Sequence, residues 1–319
     1  MASIQPVTRE ALVAQLEDMK GQVIDPQAGI FGPDSMFWRV VRHSASFMGA
    51  GRAVLLQTAH PWVANGVKQH SRTMTDPISR FRGTFTNVFT MVFGNLDQVV
   101  ESSLRVHDMH RKIVGKVEED SGAFAGGSRY MANEVNAMIW VHATLWEGAV
   151  TMYETYVGTL TKQEKEQYYQ ESKMFAYLFG VPEEALPPNW DEFLEYNEKF
   201  WYSDQLNVQA AAKEIAKFLF SIHKPLRPLM NRYKVVTSML MPEPVRVQYG
   251  LPEDCPENRA IFERNLRVVR RIYPLLPRHL RYLPPYNEAM RRLKGKHSPG
   301  LITGGLNKLV LGQASLVSA

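Results

Sequence analysis

An all-helical fold is predicted for this chain on three observations. Apolar residues return at helical spacing in segment after segment, strand-like alternation is scarce, and glycine, proline or a capping side chain marks most segment ends. The 319 residues carry 45% hydrophobic and 22% charged side chains, the balance of a globular protein with a real core. At this length roughly three quarters of the unfolded chain's surface can be buried, which leaves room for an internal pocket. No repeat at a solenoid period is present.

The elements follow in order. Gln5–Asp18 is polar and amphipathic, and a Gly/Pro/Asp-rich connector (DPQAGIFGPDS) comes after it. Ser35 is placed to cap a helix over Met36–Phe47. Helical spacing resumes at Arg52–Ala59 and again at Trp62–His70, with His60-Pro61 as the break between them. Asp76-Pro77 opens a helix whose apolar stripe is Phe81, Phe85, Val88, Phe89 and Val92; Arg80 and Thr84 lie one turn apart on a neighbouring line. Gly94 ends it. The next helix is read as Leu96 to Val114, with Val99, Ser103, Val106 and His110 on one face and His107 beside them. A glycine-bearing loop leads to Tyr130 and to a long helix over Glu134–Val157 that turns Val135, Met138 and His142 inward. Thr161 and Glu164 have capping-box spacing. Further helices are expected at Glu192–Tyr202, Val208–Ser221 and Asn258–Tyr273, joined by loops around Pro225, Pro242 and Pro274. The domain reading is an extension over 1–30, one helical domain over 31–296, and a tail over 297–319 that is flexible or docks only in a homo-oligomer.

Composition narrows the function classes. A single cysteine, Cys255, leaves no internal disulfide and no cysteine-based zinc or iron–sulfur site. The chain start lacks an apolar signal, and the most apolar stretch, Ser46–Val67, is broken by Arg52, His60 and Pro61, so no transmembrane segment and a cytoplasmic location are expected. The net charge of +5 is mild, yet ten Lys/Arg and one acid (Glu288) fall between Arg264 and Lys296. Such a stretch suits nucleic acid, an anionic membrane or an acidic substrate, or is simply a solvated helix face. A nucleic-acid motif is missing, so no nucleic-acid partner is expected.

Six of the nine histidines precede residue 143. An imidazole on an apolar helix face needs a partner, since leaving it unpaired costs roughly 1–3 kcal/mol. For His110 and His142 that partner is a carbonyl, a hydroxyl or a metal. His107 and His110 stand at i, i+3, but no Glu-x-x-His accompanies them. His-Glu-x-x-His, P-loop and Gly-x-Ser-x-Gly patterns are absent too.

The run LLQTAHPWVANGVKQHS, then DPISRFRGT, VFG, MHRKIVG, YMAN, WVHATL, LFGVP and LPRHLRYLPPYNEAMRR, resembles the MpaB-type oxygenase family, which includes the catalytic domain of latex-clearing proteins (rubber oxygenases). The resemblance runs in order over about Phe31–Lys294. It implies a globin-like helical core holding haem b, with additional helices around it. It implies His110 as the iron ligand, Arg80 and Thr84 as the pair on the other side of the haem, and His142 at a pocket position of unassigned role. Dioxygen and an apolar, unsaturated small molecule or lipid-like substrate are then the expected partners. A haem sensor or carrier without turnover is the alternative. Two departures stand out: Gly83 replaces the lysine that precedes the threonine in rubber oxygenases, and no glutamate occurs between Glu17 and Glu101 to match their base. His60, His70 or Asp76 would have to supply proton chemistry instead.

Overall fold

The computed structural model describes residues 5–71, 75–221 and 227–316; the proline-rich loop expected at Pro225 lies outside them. The chain forms α1 (Arg9–Gln22), α2 (Met36–Val41), a 3-10 turn at Ser44–Gly49, α3 (Ala50–Thr58), α4 (Pro61–His70), α5 (Pro77–Phe93) and α6 (Leu96–His110). A two-stranded antiparallel hairpin, β1 (Val114–Lys116) and β2 (Arg129–Met131), leads into α7 (Val135–Tyr156) and α8 (Lys162–Tyr177). Then come α9 (Trp190–Trp201), α10 (Ala210–Ser221), α11 (Arg227–Met239), α12 (Glu243–Gln248), α13 (Pro256–Ile272), α14 (Arg278–Arg281), α15 (Pro284–Arg292) and α16 (Leu301–Leu311). The fold is all-α apart from that hairpin.

Helix ends follow their capping chemistry. The Ser35 hydroxyl accepts from Trp38 N, and Asn95/Gln98 and Thr161/Glu164 form complete capping boxes at α6 and α8. Asp76 accepts from Ser79 N and Pro77 sits in the first turn of α5. Two boundaries differ from the sequence reading: α2 stops at Val41 rather than running to Phe47, with a separate 3-10 turn after it, and α6 stops at His110 rather than running to Val114. Val114 enters the hairpin, where it pairs with Met131. Its partner strand is far along the chain and invisible to helical periodicity. At the hairpin's centre a Cβ on Gly115 would lie 2.6 Å from the Tyr130 hydroxyl, so only glycine fits there.

The centre of the molecule is α7, which packs on α2, α3, α8 and α13. Trp140 and Trp146 are buried on it, and Trp140 Nε1 donates to Leu56 O at 3.1 Å to hold α3. Trp38 Nε1 donates to Val92 O at 2.7 Å, which ties α2 to the end of α5. Arg52 is buried on α3 and bridges to Glu147 of α7 through two bonds of 2.5 and 3.0 Å, while its Nε donates to Leu240 O. With every guanidinium edge engaged, this pair clamps three segments, and removing either partner would strand a buried charge.

Leu301–Leu311, within the segment the sequence suggests as a loose tail, is the helix α16 against α5 and α15. Its anchor is Glu288: the carboxylate accepts from Asn307 Nδ2 at 2.6 Å, from Leu316 N at 3.1 Å and from the Ser315 hydroxyl. That acid lies on α15, so local composition gives no hint of it.

Two buried imidazoles outside the candidate site are structural. His60 Nδ1 accepts from Trp62 N and caps α4, and its ring packs near Phe124 and Phe200. His43 Nδ1 meets the Tyr273 hydroxyl at 3.0 Å. Burial depresses both, His60 to about 3 and His43 to about 4, the latter with help from nearby arginines. A histidine depressed on folding takes up fewer protons folded than unfolded, so its contribution is complete above about pH 6.5 and falls away toward the folded value. Each should cost about 1.4 kcal/mol per pH unit across that window. Thermal melts should therefore drop steadily from pH 6.5 toward 4, and a His60→Gln protein should show a flatter decline. An identical slope in that variant would contradict the assignment.

Candidate functional site

The candidate site is built on the last turn of α6, the first half of α5 and the middle of α7. On α5, Arg80 and Thr84 share a face at i, i+4. The Thr84 hydroxyl donates to Arg80 O at 3.0 Å and accepts from Arg80 Nη1, while Arg80 Nε donates to the Ser71 hydroxyl at 2.9 Å. Two edges of the guanidinium are thereby fixed, and Nη2 has no partner among the described residues. Arg80 keeps more than a third of its surface open, yet burial holds its pKa below the ordinary arginine range. Protein crowds one side of the guanidinium while the other stays open.

The end of α6 is pinned on several sides. His107 is buried and its Nε2 meets Val7 O at 3.1 Å; a carbonyl only accepts, so Nε2 carries the proton. Asn133, just before α7, donates to His107 O. The Ser103 hydroxyl donates to Leu178 O, which brings the end of α8 against α6. The next residue, Phe179, then lies between two imidazoles, with ring centroids 6.2 Å from His110 and 4.7 Å from His142. Phe175 and Trp146 complete the wall around His142.

The Nδ1 atoms of His110 and His142 are both buried without a hydrogen-bond partner among the described residues, whereas the His110 carbonyl accepts from Ile113 N. Burial depresses His110 to about 4, with the Arg80 charge as the next cause; the Asn133 carboxamide pulls weakly the other way without reaching hydrogen-bond geometry at Nδ1. His142 is depressed to about 3, by burial first and then by His110. Both rings are thus neutral at physiological pH, and Arg80, His110 and His142 lie within one another's electrostatic reach in sequence along the recess. Thr84 joins them through Arg80. All four site residues named from the sequence therefore converge on one region.

The proton donors considered beside them do not join. His60 is committed to capping α4, Asp76 caps α5, and His70 packs near Tyr130. No carboxylate figures among the groups that perturb Arg80, His110 or His142. Among the described residues no group of three or more His, Cys, Asp or Glu converges as a metal site, so a bare ion would find too few donors here. A macrocycle that brings its own nitrogens asks the protein for one imidazole, and that the recess has.

A cleft of about 760 Å³ opens along another flank of α5 and is lined by Asp76, Arg82, Gly83, Thr86, Asn87 and Thr90. None of the four site residues lines that cleft. The site assignment rests on the unpaired imidazoles rather than on cavity size. Sequence reasoning missed Asn133, Trp146, Phe175 and Phe179. Asn133, Trp146 and Phe179 stand in or near recognisable runs, but the roles of Phe179 and of Phe175, which looks like ordinary core, show only when the end of α8 is seen against α6.

Neutral, buried imidazole nitrogens walled by aromatic rings, with a guanidinium held by its own helix, make up the site in an all-helical fold. Residues 38–271 match the family described as "ER-bound oxygenase mpaB/B'/Rubber oxygenase, catalytic domain", and the chain belongs to that family. No curated protein and no solved structure matches it. Within the described residues, no helix is long and apolar enough to cross a membrane.

His142 loses no hydrogen bond when replaced. A His142→Phe protein without bound ligand should keep its stability within about 1 kcal/mol in urea unfolding. A loss of several kcal/mol would mean that the ring has a structural partner.

Proposed function

We propose that this chain is a haem b-dependent oxygenase acting on an apolar, unsaturated small molecule or lipid-like substrate. Membership of an oxygenase family makes it an enzyme that uses dioxygen. The observation that carries the haem reading is His110: a neutral ring whose buried Nδ1 has no hydrogen-bond partner among the described residues. Only a neutral imidazole can donate to iron, and an unpaired one in low dielectric gains most from doing so.

Bound in the recess, haem would supply the iron at which dioxygen is activated. The chain's own residues do the rest. His110 would hold the metal from the end of α6, a position fixed by the Val7, Asn133 and Leu178 contacts. Arg80 presents its free Nη2 to an anionic group, either a carboxylate side arm or a developing oxygen anion. Thr84 and Ser71 keep that donor aimed, which lowers the reorganisation needed during reaction. His142 retains one proton on one nitrogen and offers the other as acceptor within the same recess. Phe81, Phe85 and Phe89 run along α5 in tilted ring contact with Phe47 across from them, an apolar strip that suits a hydrocarbon.

The lack of a carboxylate beside these residues favours a second reading, a haem sensor or carrier without turnover. Oxygen consumption with candidate alkenes separates the two. His110→Ala should abolish haem retention and the Soret band. Arg80→Leu should keep haem while lowering oxygen uptake on the order of 10²-fold. A His110→Ala protein with full haem content and an unchanged spectrum would overturn the assignment.

A further inference from the structure

We infer that the outer face of α13 and the turn after it form a docking surface for an anionic lipid bilayer. This goes beyond the oxygenase reading and does not depend on it. No residue of α13 is fully buried. Its inner side, through Leu266 and Val269, packs toward Met152 and Tyr156 of α7. Its outer side carries Ile261, Val268 and Ile272, continued by Leu275, which is 79% exposed, and by Leu280. Spacing of i, i+7, i+11 and i+14 puts the first four in one stripe.

Arg264, Arg267 and Arg271 are interleaved with that stripe, are exposed, and have no ion-pair or hydrogen-bond partner among the described residues. Between Arg264 and Arg281 there is no acid; Asp254, Glu257 and Glu263 all sit on the N-terminal side of the patch. Beneath the stripe an apolar groove of about 280 Å³ runs between α13 and the Ser44–Gly49 turn, lined by Met48, Val268, Ile272 and Leu276.

Charge decides the partner. Unpaired guanidinium groups pair best with phosphate and carboxylate oxygens, each worth about a few-fold in affinity at an anionic leaflet. The aliphatic side chains between them gain only from a hydrocarbon layer, into which such a face sinks shallowly. A nucleic-acid backbone would reward the arginines but leave Ile272 and Leu275 in water. The patch also lacks exposed aromatic rings for stacking on bases. A second copy of the chain across a two-fold axis would bring like charges together. The adjoining Phe47, next to Met48, contacts Phe81 and Phe85 of α5, the helix that carries Arg80 and Thr84.

The test is co-sedimentation of the full chain with vesicles of phosphatidylcholine containing about one third phosphatidylserine, against phosphatidylcholine alone. The chain should bind the anionic vesicles, release from them as salt rises, and ignore the neutral ones. Arg264→Gln, Arg267→Gln and Arg271→Gln together should weaken binding about 100-fold. Val268→Ser, Ile272→Ser and Leu275→Ser together should weaken it about 10-fold while leaving helicity intact. Equal binding to both vesicle types, or binding that neither triple variant reduces, would overturn the inference. So would capture of duplex RNA in place of vesicles with the same arginine dependence, or a shift from dimer to monomer in the apolar variant without vesicle binding.

Discussion

Two imidazoles, one on either side of Phe179, whose buried Nδ1 atoms have no partner among the described residues, set the terms for the rest of this structure. Folding gives up the hydration of both rings and returns nothing to their Nδ1 atoms. An arrangement of that kind costs about 1–3 kcal/mol per unsatisfied group, and such a deficit is rarely carried without a use. The surroundings make the deficit specific. Burial and the Arg80 charge keep His110 neutral, and His110 in turn disfavours charge on His142. The protein thus holds two lone-pair donors uncharged where water would otherwise compete for them.

Support for those rings comes from elements far apart in the chain. Val7 and Asn133 fix the last turn of α6 through His107, and Ser103 draws the end of α8 against it. The Arg52–Glu147 clamp locks α3 to α7, which fixes the helix that carries His142. On α5, one helix serves two surfaces: Arg80 and Thr84 toward the recess, Arg82, Thr86 and Thr90 toward a separate polar cleft. The rigid parts of the molecule are therefore those that aim the recess, as precise positioning of a functional group requires.

Much of this was legible in the residues. Helical spacing with capping and breaker signals placed α4, α5, α7 and α8 within a few residues, because those signals are local. The same spacing turned His110 and His142 inward, and the Arg80–Thr84 pair follows from a separation of four. What escaped was decided by contacts across the chain. The end of α6 at His110 depends on a strand pairing with residues 129–131. The ordering of 301–316 depends on the Glu288 carboxylate, and the role of Phe179 depends on the α6–α8 junction. His60, one of the side chains open to proton chemistry in the sequence, spends its lone pair on a helix cap. Composition alone could not choose among partners for the basic stretch; exposure and the interleaved aliphatic side chains did.

The claim that the recess is built for a metal-bearing macrocycle held by one imidazole is open to a direct reading. The wild-type chain, produced with haem supply, would be recorded by absorption spectroscopy as isolated, after dithionite, and after carbon monoxide. The account predicts a Soret band that shifts on reduction and again with carbon monoxide, at one haem per chain. A colourless protein that stays colourless when mixed with haemin would contradict it.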